Sequence, residues 1–141
     1  MRLKHRWFVC QLVLEPPAGV DEVVAYAAVT TGEVAFAVRA SIGDVYGDAG
    51  VAACATLFAV KFYHPITRLL IIRGPTAWET QLRASIALVR LLRPGWPAAM
   101  HVLQTCGSAR TLRPALASWH AAVLAGLRGG LGGSGGERGS Q

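Results

Sequence analysis

The stretch Phe58-Ala59-Val60-Lys61-Phe62-Tyr63-His64-Pro65-Ile66-Thr67-Arg68-Leu69-Leu70-Ile71-Ile72-Arg73 decides the fold. Its β-branched and aromatic residues fall in two runs on either side of His64-Pro65-Ile66-Thr67, where proline and polar residues punctuate a turn. The reading is two neighbouring antiparallel strands, one from Val51 to Tyr63 and one from Arg68 to Arg73. On the first, Cys54, Phe58, Val60 and Phe62 share one side. Ala53, Ala55, Ala59, Lys61 and Tyr63 share the other, small and then polar, as on a more open sheet face.

Helix signals flank this pair. Upstream, Thr30 and Glu33 have capping-box spacing, in which hydroxyl and carboxylate satisfy orphan backbone donors. That helix runs to about Tyr46, presents Phe36, Ile42 and Val45, and is closed by Gly47 and Gly50. Downstream, Thr76 and Glu79 form a second capping box behind Pro75. Trp78, Leu82, Ile86 and Val89 recur at helical spacing until Pro94-Gly95 stops the helix, with Arg83 and Arg90 on one stripe.

Farther out, Trp7 to Leu14 reads as a strand with Phe8, Cys10, Leu12 and Leu14 on one side, ended by Glu15-Pro16-Pro17-Ala18-Gly19. The acidic, Ala/Val-rich segment that follows is compatible with a helix. His101 to Cys106 supplies a fourth strand. Ser108 or Thr111 caps a last helix lined by Leu112, Leu116, Trp119, Val123 and Leu127, with Pro114 tolerated in its first turn. The order β-α-β-β-α-β plus a C-terminal helix specifies an α+β protein, a ferredoxin-like (RRM-like) α/β sandwich on an antiparallel four-stranded sheet. One domain is expected over residues 1–128, and the Gly-rich residues 129–141 form a flexible tail.

Composition bounds the function. Hydrophobic residues make up 52% of the 141 and charged residues 16%, so the chain builds a core. Mean hydropathy is +0.38, yet the uncharged stretches Ala49–Val60 and Pro114–Leu127, 12 and 14 residues long, are too short to span a bilayer. The basic, then apolar, opening stops at Gln11 without a small-residue cleavage site and is not read as a signal peptide. Cys10, Cys54 and Cys106 are odd in number and widely spaced, which suits core packing in a reducing, intracellular setting.

The net charge of +6 is unevenly spread. Residues 15–48 set one arginine against six acids, whereas residues 1–14 carry three bases and no acid. From residue 49 onward ten bases face two acids. Arginine predominates, 12 to 2 over lysine, which suits bidentate phosphate contact and an anionic partner.

Catalytic patterns are missing from the sequence. Beyond residue 48 the acids are Glu79, read as a cap, and Glu137 in the tail, which leaves little for paired-carboxylate chemistry. His5, His64, His101 and His120 are scattered without metal-ligand spacing. Gly47-Asp48-Ala49-Gly50 lacks the Gly-Lys-Ser/Thr of a P-loop. No catalytic residue and no metal site are therefore expected.

Three blocks carry a resemblance. The first is Arg2-Leu3-Lys4-His5-Arg6-Trp7 running into an apolar strand with Cys10. The second is Val45-Tyr46-Gly47-Asp48-Ala49-Gly50-Val51-Ala52-Ala53-Cys54, then Phe58-Ala59-Val60-Lys61-Phe62, Thr67 and Ile71-Ile72-Arg73. The third is Cys106-Gly107-Ser108-Ala109-Arg110-Thr111. Together, over about residues 1–127, they resemble the Pop-five family, the smallest α/β-sandwich subunit of eukaryotic and archaeal ribonuclease P, shared with RNase MRP. Residues 15–35 resemble it poorly. The family often has glycine where Arg68 stands and histidine where Gln104 stands, and some members carry an acidic extension absent here.

The resemblance implies a non-catalytic component that binds and stabilises the catalytic RNA, which removes 5′ leaders from precursor tRNA using its own Mg2+. No cofactor is expected on the protein itself. It further implies a larger, 30-kilodalton-class protein partner with a roughly TIM-barrel fold, other subunits of the complex, contact with precursor tRNA only indirectly, a role reaching rRNA processing, and residence in the nucleus and nucleolus.

Arg2, Lys4, His5 and Arg6 are the first candidates for RNA contact, since four potential cations precede an anchoring strand; Arg73 and Arg110 are second. Lys61 and Tyr63, with the last helix, are candidates for the protein partner. Two other classes remain open on the residues alone: a stand-alone RRM-like RNA binder, and a ferredoxin-like regulatory dimer or small-molecule enzyme.

Overall fold

Alternation makes the central strand. In β1 (His5–Leu14), Phe8, Cys10 and Leu12 are fully buried on one side, and Val9 is equally buried on the other. A strand buried on both faces must lie inside a sheet that is covered on both faces. The computed structural model describes residues 4–132, with backbone alone from residue 128. It places β1 between β3 (Leu69–Pro75) and β5 (Trp96–Cys106), antiparallel to both. With β2 (Ala59–Tyr63) and β4 (Leu91–Arg93) the sheet order is β2-β3-β1-β5-β4.

The sheet thus has five antiparallel strands where four were expected. The extra strand comes from the segment read as the end of a helix. α3 (Glu79–Ala87) stops early, and Leu91–Arg93 turns back onto β5 through Pro94-Gly95, with Gly95 at φ +80°. Proline followed by a left-handed glycine makes a tight turn and not a helix stop. The strand expected over Val51 to Tyr63 is also shorter. α2 (Thr31–Cys54) continues through the alanine-rich segment, interrupted at Gly47 (φ 72°, ψ −167°), and β2 begins only at Ala59. Alanine favours helix over strand, and the β-branched and aromatic residues are concentrated toward the end of that stretch.

A bulge changes which side chains of β2 share a face. The register shifts between Val60 and Phe62, leaving Lys61 as the extra residue. Phe62 then packs on one side of the sheet, while Val60 and Tyr63 pack on the other. The expected grouping of Tyr63 with Lys61 on an open face is therefore corrected: Tyr63 joins the core and donates its hydroxyl to the Tyr26 carbonyl at 2.8 Å.

Helices cover both faces. α1 (Glu22–Ala27), α2 and α3 lay Ala25, Tyr26, Val34, Val38, Ile42, Leu82 and Ile86 over Phe8, Cys10, Leu12, Leu70, Ile72 and Met100. Each such large side chain contributes roughly 1.5–3 kcal/mol on burial. α4 (Ala109–Gly132) roofs the opposite face, where Leu112, Ala115, Leu116 and Trp119 meet Trp7, Val9, Phe62, Ile71 and Cys106. Of the expected stripe, Leu127 is left exposed at 44%. Pro114 is the sixth residue of α4 and so lies past the first turn.

The capping box at Thr30 and Glu33 forms in both directions, at 3.1 and 3.4 Å. The one expected at Thr76 and Glu79 does not. Residues Thr76–Trp78 make a 3-10 turn without a side-chain cap, and Thr76 N–H donates to the Lys4 carbonyl at 3.1 Å. Apart from the last backbone turns of α4, the expected flexible tail lies outside the described residues.

Candidate RNA interface

Antiparallel pairing decides which residues meet. His5 pairs with Pro75, Arg6 with Gly74, and Trp7 with both Arg73 and Cys106. The start of β1, the end of β3, the end of β5 and the start of α4 therefore share one end of the sheet. Lys4, His5, Arg6 and Arg73 gather there, and Arg110 stands in the first turn of α4. Arg2 lies outside the described residues.

The gathered cations differ in how free they are. Lys4 and Arg110 are exposed, and neither side chain forms an ion pair among the described residues. Arg73 is half-buried: its Nε donates to the Leu57 carbonyl at 3.1 Å, and its guanidinium lies 6.0 Å from the centre of the Trp7 ring. Those contacts tie it to the start of β2. His5 tilts against Trp7 at 6.5 Å, and its buried Nδ1 has no partner among the described residues. Arg6 is anchored by Glu79, Nε to Oε1 at 2.7 Å. Lys61 is exposed on the outer strand β2, at the bulge, and Tyr63 is half-buried.

Glu79 is the residue whose role the sequence misassigned. Its carboxylate takes Arg6 on one oxygen and Arg83 on the other, the latter at 3.3 Å. Arg83 also donates to Thr105 Oγ1 of β5 at 2.8 Å. The spacing of Glu79 and Arg83, four apart on a helix, was a readable signal for that half of the contact. Arg6 is 73 residues away in sequence, and only the sheet brings it there.

Nucleophilic chemistry has no support from the cysteines. Burial raises the thiol pKa of Cys10, Cys54 and Cys106 above the ordinary 9.0, which holds them protonated. Cys54 sits in α2, not in a strand, and is buried. Among the described residues no three or more His, Cys, Asp or Glu side chains cluster as a metal site. No described helix is long and apolar enough to cross a membrane.

The arrangement defines an α+β protein with helices on both faces of an antiparallel sheet and a cluster of cations at one sheet end. The chain belongs to the Rpp14/Pop5 family, whose model matches residues 6–117, as the three sequence blocks indicated. No curated protein matches it. Among solved structures, the chain is similar to one in the cryo-EM structure of yeast ribonuclease MRP, with a TM-score of 0.50, 18% identity, and 77% of each chain covered. At that identity the likeness speaks to the fold.

Proposed function

We propose that this protein is a non-catalytic subunit of ribonuclease P, and of RNase MRP, whose sheet-end cations bind the backbone of the catalytic RNA. The observation that carries this reading is the convergence of Lys4, Arg6, Arg73 and the Arg110 turn of α4 at one end of the sheet. Family membership and the fold shared with a chain of the MRP structure support it. Positive charge placed on a rigid sheet end neutralises phosphates and fixes register without reading bases. Bond cleavage then belongs to the RNA and its Mg2+, and the products are tRNA freed of its 5′ leader and processed rRNA. Such work belongs to the nucleus and nucleolus, alongside other subunits that include a larger protein partner. Lys61, exposed on the outer strand, is our candidate contact for that partner, with Tyr63 supporting the strand from the core side.

A stand-alone RRM-like binder needs an open sheet face on which bases stack. Here α4 occupies that face over Val9, Ile71 and Phe62.

The test is salt dependence of binding to ribonuclease P RNA transcribed in vitro. Changing Lys4, Arg6 and Arg110 together to Ala should lower the log–log slope, by up to about 0.9 per lost duplex contact. A slope equal to that of the unaltered protein overturns the assignment.

A further inference from the structure

We propose that Glu79 is a positioning residue that holds Arg6 and Arg83 side by side as a two-arginine clamp for one stretch of RNA backbone, which makes Arg83 a phosphate contact in its own right. The inference rests on the RNA-binding reading above and adds Arg83, Glu79 and Thr105 to it.

The geometry is that of a bracket. Each carboxylate oxygen of Glu79 takes a different arginine, at 2.7 Å for Arg6 and 3.3 Å for Arg83. Thr105 holds Arg83 from the other side at 2.8 Å. Arg6 engages Glu79 through Nε, so neither of its Nη groups hydrogen-bonds within the described residues. Arg83 likewise keeps Nε and Nη1 free there, having engaged only Nη2. The side chains of Arg6 and Arg83 are 32% and 50% exposed, so both reach solvent.

Charge favours an anion. Two guanidinium groups share one carboxylate, which leaves a net positive charge on the trio. Gly107 borders Arg6: a Cβ built there would stand 3.4 Å from Arg6 Nη1, in ordinary van der Waals contact, which places the start of α4 beside this guanidinium. The next residues open α4, whose first turn presents positive backbone dipoles. A guanidinium fork whose Nε side is already held still offers paired Nη donors to phosphate oxygens. Surface ion pairs of this kind add little stability by themselves, so orientation is the better account of why three elements converge on one carboxylate.

Glu79→Gln gives opposite signs for the two accounts. The substitution adds one unit of net positive charge, and attraction by charge alone would tighten RNA binding. If Glu79 orients the arginines, their freed side chains must be ordered on binding, and affinity for in vitro transcribed ribonuclease P RNA falls roughly 2- to 10-fold. Arg83→Ala should lower the salt slope by up to about 0.9. Thr105→Val releases Arg83 without any change of charge; it should weaken binding at an unchanged slope, and it decides the matter if Glu79→Gln fails to fold by circular dichroism. Tighter or equal binding by folded Glu79→Gln, or an unchanged affinity in Thr105→Val, overturns the positioning role. A normal slope in Arg83→Ala, with a reduced one in the Lys4, Arg6 and Arg110 variant, sinks the clamp and leaves the proposed function standing. Salt-insensitive binding by the unaltered protein sinks both.

Discussion

The guanidinium of Arg68 lies 3.7 Å from the centre of the Tyr26 ring, although Arg68 itself holds a left-handed backbone at φ 64°. It is the one non-glycine residue with positive φ among the described residues. The side chain offsets that strain: it covers an aromatic face and pairs with Glu22 at 3.6 Å, tying the β2–β3 turn to α1.

Two substitutions separate these opposing effects. Arg68→Ala keeps the backbone conformation and loses the contacts, so it should destabilise by about 1–2 kcal/mol. Arg68→Gly loses the same contacts but relieves the backbone, and should be more stable than the alanine variant by about 1 kcal/mol. Urea unfolding of the pair measures the difference, and equal midpoints would refute backbone strain at this position.

Gly47 interrupts α2 with φ 72° and ψ −167°, a combination that only glycine adopts readily. Gly47→Ala should cost about 1–3 kcal/mol, with the loss read as a lowered melting temperature. A variant as stable as the parent would mean that the helix can straighten through this point.

At alkaline pH, Tyr63 marks the fold. Burial, aided by Tyr26 and opposed by Arg68, pushes its pKa up to about 12 from an ordinary 10.0. The unfolded chain therefore loses this proton first, and stability falls as pH rises from 10 towards 12. Tyr63→Phe removes the hydrogen bond to the Tyr26 carbonyl and should be less stable at neutral pH by about 1 kcal/mol. Its deficit should shrink above pH 10, measured by denaturant titration at each pH. The buried thiols contribute to both proteins and cancel in that comparison.

At the acidic side the relevant group is His120 of α4. Burial, and then the neighbouring His64 at 5.0 Å, lower its pKa below 6.5. A depressed value means that the unfolded chain takes up the proton first, so stability present above pH 6.5 is lost as pH falls through the lowered value. Amide exchange in α4 should quicken between pH 7 and 5, and His120→Phe, which keeps the edge-on packing against Phe62, should exchange at a rate less dependent on this range once intrinsic exchange is corrected. Equal pH dependence in the two proteins would rule out His120 as the source.

Much of the fold was legible because its signals are local. Thr30 and Glu33, three apart, specify a cap that forms, and the alternation from Phe8 to Leu14 specifies a strand with its faces correctly sorted. The failures share a cause. Leu92 follows Val89 at helical spacing, both are buried, and nothing in that spacing separates a continuing helix from a hairpin turning at Pro94-Gly95. Glu79 has the spacing of a cap to Thr76, but Arg6 claims it from the far end of the chain. The extra residue at Lys61 depends on pairing with β3 and has no single-strand signature. The amino-terminal cations were legible as a group, whereas Arg83 became visible only through the partners that hold it.

That bulge has a bearing on how the molecule behaves in company. β2 borders the sheet, and an unpaired border is where a neighbouring molecule would zip on. The irregular step at Lys61 breaks the rhythm of exposed amides and carbonyls and plants an ammonium group midway along them. A strand that met this border would find no regular ladder to join.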